Sequence, residues 1–125
     1  MKTSKSLAFL DLKKLNDDFE IPNDGKWTRE KIMGKGAYGK VMECIYKPSM
    51  ISFAVKRFER IFQDIQRGTR LLREITILSN ISHTCLNKLV TIFPPKHIEH
   101  FEDTYLVLDK CDMDLKKLLR SNKYL

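Results

Sequence analysis

Cysteine is scarce in this chain of 125 residues: there are three, Cys44, Cys85 and Cys111, widely spaced and with no C-x-x-C pair. An odd, scattered set fits neither a disulfide framework nor a cysteine-rich zinc site, and the expected setting is a reducing one, cytoplasmic or nuclear. Long apolar runs are missing too. Nothing approaches the roughly twenty residues of a membrane helix. Leu7 to Leu10, behind Lys2 and Lys5, is too short for a secretory leader to be expected. Internal repeats and low-complexity tracts are absent. Histidine is limited to His83, His97 and His100. His97 and His100 stand at i, i+3 with no third ligand type beside them, so a solvated turn is expected and no metal site is assigned.

What remains is enough for one folded unit. Apolar residues make up 42% of the chain and charged residues 31%, an ordinary balance for a domain with a buried core. The net charge of +7 favours anionic partners in general. The basic residues are spread through the chain, however, and no basic helix with interleaved stacking aromatics stands out. Neither nucleic acid nor a membrane is an expected partner.

Glycine is also sparse, five in all, yet three of the five stand in the run Gly34-Lys35-Gly36-Ala37-Tyr38-Gly39-Lys40-Val41. This spacing lets main-chain N–H groups approach an anion with no Cβ in the way. The same pattern fits a dinucleotide-binding turn, in which glycines open a helix after a buried parallel strand. The flanks decide between the two. Trp27 to Met33 mixes polar and apolar residues as a half-exposed strand does. Val41-Met42-Glu43-Cys44-Ile45-Tyr46 reads as a second strand, ending at Lys47-Pro48-Ser49. The glycines therefore join two strands. A third strand is expected over residues 51–58, carrying Lys56 in Phe53-Ala54-Val55-Lys56. An ammonium brought beside a phosphate cradle neutralises its charge, and the ligand that suits the pair is a nucleoside triphosphate. Ala54, two residues before Lys56 on the same strand face, leaves room for a flat ring.

Residues 64–80 show a helical period, with Leu71, Ile75 and Leu78 at i, i+4 and i+7 and Asn80 as a terminal cap. Glu74 falls on or beside that apolar stripe, an expensive place for a carboxylate. An intrahelical pair with Arg70 would be worth only about 0.2–0.5 kcal/mol. The sharper reading has Glu74 reach across to Lys56 and hold it toward the phosphates.

Gly34 to Val41, Ala54-Val55-Lys56 and Leu71-Leu72-Arg73-Glu74-Ile75 together resemble the N-terminal lobe of a eukaryotic Ser/Thr protein kinase. The loop form Gly-x-Gly-Ala-Tyr-Gly, the helix text Arg70 to Leu78, and Asp103 to Asp109 running into Cys111-Asp112-Met113-Asp114-Leu115-Lys116-Lys117-Leu118-Leu119 are most similar to MAP kinases. The likeness covers about residues 19–125. The fold it implies is α+β: a five-stranded antiparallel sheet with one long helix, then the hinge and the start of the next helix, with the C-lobe absent. The implied division is an extension over residues 1–26, the N-lobe over 27–110, and the hinge with the first turns of the following helix over 111–125.

The resemblance also implies a role for each matching position. Lys56 and Glu74 would form the catalytic pair. Met33, Gly34, Lys35, Gly36, Ala37, Tyr38 and Gly39 would line the bound ATP, with Val41 and Ala54 as the roof over adenine and Leu108 at the gatekeeper position behind it. Asp109 and Cys111 would offer hinge backbone groups to the purine edge. Asp114 would lie near the ribose and Lys117 near the pocket mouth. Arg70 and Arg73 match helix arginines that in MAP kinases contact a phosphothreonine, although a solvated helix face serves Arg70 equally well. Protein substrates and an upstream activating kinase are the implied partners of a complete form.

The sequence departs from the pattern in places. Cys85 stands where the group usually has Asn, and Leu108 where some members have Gln, which leaves the subgroup open. No histidine precedes Arg-Asp, and the H-R-D, Asn and D-F-G positions of a second lobe are not in these residues. Mg2+ is thus expected only in a complete kinase, since its ligands are not in this chain. The expectation is an ATP-binding lobe that passes the γ-phosphate to Ser/Thr only when completed by a C-lobe, and is inactive alone. The alternative is a truncated, non-catalytic module that binds nucleotide or a partner. One sheet face should be covered by the helix and the other left open to the cleft, an apolar patch prone to self-association. Before residue 27, the spacing of Leu7, Leu10, Leu12, Leu15 and Phe19 allows an amphipathic helix, while Asn16-Asp17-Asp18 and the Pro22-Asn23-Asp24-Gly25 turn equally allow a mobile extension.

Overall fold

The structure, a computed structural model, describes residues 19–36, 39–111 and 115–120, apart from the side chains of residues 116 and 117. Among these residues, five strands and two helices run in the order β1 (Trp27–Gly36), β2 (Gly39–Tyr46), β3 (Ile51–Phe58), α1 (Ile65–Asn80), β4 (Leu89–Ile92), β5 (Thr104–Asp109) and α2 (Leu115–Arg120). The strands form one antiparallel sheet in the order β1-β2-β3-β5-β4. This is the α+β architecture expected from the sequence.

Local chemistry sets the boundaries. Pro48 pre-sets the second position of the β2–β3 turn, which the Met50 N–H closes on the Lys47 carbonyl at 3.2 Å. At the start of α1 the Asp64 side chain accepts from the Arg67 N–H at 2.8 Å, so Asp64 is the N-cap and helical backbone begins at Ile65. The other end differs from expectation. Asn80 is the last helical residue, its Nδ2 donating to the Thr76 carbonyl at 2.7 Å, and the cap is Ile81, whose N–H donates to the Ile77 carbonyl. The amide of Asn80 turns back along its own helix and ends nothing.

Register divides the core between two faces. Met42, Cys44, Val55, Tyr105 and Val107 point to one face and bury there with Phe19 and Phe93. Phe19 packs edge-on to Tyr105, with ring centroids 5.1 Å apart. Its carbonyl accepts from Arg29 Nη1 at 3.0 Å, and the Tyr105 hydroxyl accepts from the Glu20 N–H at 3.1 Å. The buried Arg57 stacks its guanidinium over Phe19 and pairs with Glu59. Phe19 therefore belongs to the core although it precedes Trp27. The stretch before Phe19, for which the sequence allows either an amphipathic helix or a mobile extension, lies outside the described residues.

On the other face, Phe58 and Leu106 bury against Leu71 of α1 and Ile61, flanked by Ile75, Leu89 and Phe101. Lys56 opposes both Val41 and Leu106, and Ala54 opposes Leu108, so all five share this face with α1. That corrects the expectation that helix and cleft lie on opposite faces. Side chains two apart on a strand point the same way, and a helix that packs on Phe58 must also cover part of the face that bears Lys56. The opposite face is closed by Phe19, Trp27 and Phe93. Nor is the Ala54 region an open patch: Ala54 and Leu108 are only 7% and 8% exposed, because Leu108 lies between Ala54 and Leu89 of the flanking strands. The large apolar side chains most exposed among the described residues, Ile65, Ile98, Met50 and Phe62, are scattered over other elements.

Candidate functional site

The site starts from the β1–β2 hairpin. Gly34 opposes Val41, Lys35 opposes Lys40 and Gly36 opposes Gly39, so the glycines stand on the last rungs of two antiparallel strands, as their flanks indicated. Gly39 is required by the fold. Its φ is +151°, and a Cβ there would lie 1.9 Å from the Arg57 carbonyl oxygen of β3. Gly34 and Gly36 differ. Neither has positive φ, and among the described residues a Cβ on either would meet no atom within 4 Å. Packing among the described residues does not explain these two glycines. Ala37 and Tyr38, between the two strands in sequence, lie outside the described residues.

Beneath the hairpin a cavity of about 270 Å³ is lined by Gly34, Lys35, Gly36, Gly39, Val41 and Lys56. Lys56 is positioned by β3 and held from the far side by α1. Its Nζ donates to Glu74 Oε1 at 3.2 Å and Oε2 at 3.3 Å and stands 4.8 Å from the centre of the Phe58 ring. The two side chains are 33% and 28% exposed. An ion pair so open contributes about 0–1 kcal/mol, so its effect is placement of the ammonium more than stability. Lys56 also borders a second cavity of about 420 Å³, with Phe58, Arg70, Arg73, Glu74, Ile77 and Leu78. The two arginines thus line the groove on the helix side of the same lysine. Phe58 was not singled out in the sequence, though its place two residues after Lys56 put it on that face.

The remaining expected positions fall into four groups. Val41, Ala54 and Leu108 form one apolar stretch of the face that bears Lys56. Asp109 ends β5, and its N–H donates to the Lys88 carbonyl at 3.0 Å, so that amide is not available to a ligand. Met33 is exposed on β1 where the register shifts, and Cys111 is exposed just past β5. Asp114 lies outside the described residues, as does the side chain of Lys117 in α2. Cys44 faces away, in the opposite core, where burial pushes its thiol up to about 12.

A further polar cluster was missed in the sequence. Glu43, on β2 opposite Ala54, accepts from Ser52 Oγ at 2.8 Å and lies 3.2 Å from Lys110 Nζ. Its carboxyl is held below the usual range by the Ser52 hydrogen bond and, against the opposing effect of burial, by the Lys110 ammonium. The hydroxyl and the lysine stand 9 and 67 positions away from Glu43, so only the sheet register brings the three together.

The family described as protein kinase domain matches residues 27–125. The chain belongs to that family. The sheet and the long helix are those of a kinase N-lobe, and the lobe is MAP kinase-like. It is 34% identical over 105 residues to Mitogen-activated protein kinase 4 of Oryza sativa subsp. japonica, covering 84% of this chain and 28% of the relative. Mitogen-activated protein kinase 14 of Arabidopsis thaliana is 33% identical over 107 residues, covering 86% and 29%. Mitogen-activated protein kinase spk1 of Schizosaccharomyces pombe is 33% identical over 104 residues, covering 83% and 27%. The N-lobe thus spans a little over a quarter of the length of these relatives. Among its described residues no three His, Cys, Asp or Glu side chains converge to hold a metal ion, and no helix is long and apolar enough to cross a membrane.

Proposed function

We propose that this lobe binds ATP beneath the glycine hairpin and, joined to a C-terminal lobe, serves the transfer of the γ-phosphoryl group to Ser or Thr of protein substrates. The observation that carries the reading is the two-oxygen grip of Glu74 on Lys56, a lysine that lines one cavity together with Gly34 and Gly36. Main-chain N–H groups and Lys56 would share the triphosphate charge. Val41, Ala54 and Leu108 offer an apolar wall to the purine, and the backbone from Asp109 to Cys111 its polar edge. Asp114 and Lys117 would complete the ribose side. The general base and the magnesium ligands would come from the other lobe. Arg70 and Arg73, lining the helix-side groove, suit a phosphothreonine placed there by an upstream kinase. The proposed setting is cytoplasmic or nuclear.

Glu74 acts through Lys56 and not on the substrate, which separates it from a merely structural helix residue. In a two-lobed form, Glu74→Gln should lower kcat about tenfold or more, a loss of at least 1.4 kcal/mol of transition-state stabilisation, with the thermal midpoint nearly unchanged because the pair is half exposed. A steady-state assay beside a melting curve decides. Unchanged kcat would remove Glu74 from the mechanism, and a matching drop in both would make its role structural.

A further inference from the structure

The Glu43 cluster lies on the cleft face but is used by none of the steps above. Glu43 opposes Ala54, Ala54 opposes Leu108, and Lys110 follows Leu108 by two residues. The Glu43–Lys110 contact of 3.2 Å therefore passes over β3. β2 and β5 are two strand spacings apart, roughly 10 Å, a gap that a glutamate and a lysine reaching toward each other can close. Glu43 Oε2 is shielded from water and receives no well-directed hydrogen bond, so the Lys110 ammonium holds it chiefly by charge. A shielded carboxylate without a cation would be costly. Ser52 fixes the other oxygen, and so sets the direction in which the carboxylate faces. On the other flank, Asp109 is hydrogen-bonded to the Lys88 carbonyl. The connector after β5 is thus held toward β4 by its backbone and toward β2 by a side chain.

We propose that Glu43 and Lys110 are a positioning pair, tying the connector after β5 to β2 so that the backbone at residues 109–111 keeps a fixed place relative to the glycine hairpin. The tie does not depend on nucleotide. Its consequence, that the pair sets where a purine edge meets the hinge backbone, rests on the ATP site proposed above.

The test uses the 125-residue chain, free of nucleotide, labelled for NMR. In the parent, the amides of Lys110 and Cys111 should have order parameters near 0.85, those of rigid backbone, and in Lys110→Met they should fall below about 0.6. Glu43→Gln should do the same. Lys110→Arg should keep the parent values, since a guanidinium also reaches the carboxylate. The Glu43 carboxyl resonance gives a second readout: its titration midpoint should rise in Lys110→Met, with Ser52 and the nearby Lys31 of β1 still in place, and stay low in Lys110→Arg. Order parameters unchanged in both Lys110→Met and Glu43→Gln would overturn the proposal even if the midpoint moves, because the contact would then hold nothing. An unmoved midpoint would overturn it by showing that no charge contact exists. If acid unfolds the chain before the carboxyl titrates, the order parameters at neutral pH decide alone. Neither readout involves ATP, so a failure of the nucleotide site leaves the result intact.

Discussion

Lys56→Met, in a form that carries both lobes, is expected to reduce phosphoryl transfer about 10²–10³-fold, the usual loss when one group that stabilises transition-state charge is removed. The thermal midpoint should hardly move. The substitution deletes a half-exposed ion pair with Glu74, worth about 0–1 kcal/mol, and a cation–π contact with Phe58 of about 0.5–1 kcal/mol. Methionine keeps the apolar stem that lies on the strand. The two magnitudes separate the readings. A lysine that serves the fold would lose stability and spare turnover, whereas one aimed at phosphate loses turnover and spares stability. Kinetics and melting on the same preparation check this, and full turnover in Lys56→Met would remove the lysine from the phosphate site.

The second large effect belongs to the fold. Gly39→Ala should destabilise the chain by about 3 kcal/mol, the upper part of the overpacking range, because the new Cβ would lie 1.9 Å from the Arg57 carbonyl oxygen and φ is +151°. That oxygen is backbone and not a flexible side-chain tip, so β2 and β3 must separate at that rung. For a domain of this size the thermal midpoint should drop by about 10 °C. Gly36→Ala is the matched control. With nothing among the described residues within 4 Å of its Cβ, it should stay within about 0.5 kcal/mol of the parent while weakening ATP. Equal melting of the two variants would show that the glycines differ in no structural respect.

The three glycines look alike in the sequence, and only the register of β2 against β3 tells the one that packs from the two that leave space. Other features were legible earlier. The Pro48 turn, the glycine hairpin and the third strand follow from local signals. Glu74 on an apolar helical stripe is a conflict that only a partner such as Lys56 resolves. The reading failed where contacts are remote. Phe19 is placed by Tyr105, Arg29 and Arg57, and the hydrogen bond next to it spans 85 positions; nothing local near Pro22 announces that burial. β4 has four residues, Leu89 to Ile92, too few for a period of two to declare itself. The assignment of helix and cleft to opposite faces overlooked an available constraint. A Glu74 that reaches Lys56 already requires α1 on the face of Lys56. The Glu43–Ser52–Lys110 cluster escaped notice because the rungs that align it run through β2, β3 and β5 at once.

The nucleotide site can be tested in the 125-residue chain itself by titrating ATP and following the backbone amide resonances. For the N-lobe on its own, weak, saturable binding is expected, with the largest shifts at Gly34, Gly36, Gly39 and Lys56, smaller ones near Leu108 and Cys111, and loss of the pattern in Lys56→Met. Saturable shifts centred elsewhere, or a pattern at the hairpin that persists unchanged in Lys56→Met, would contradict the assignment.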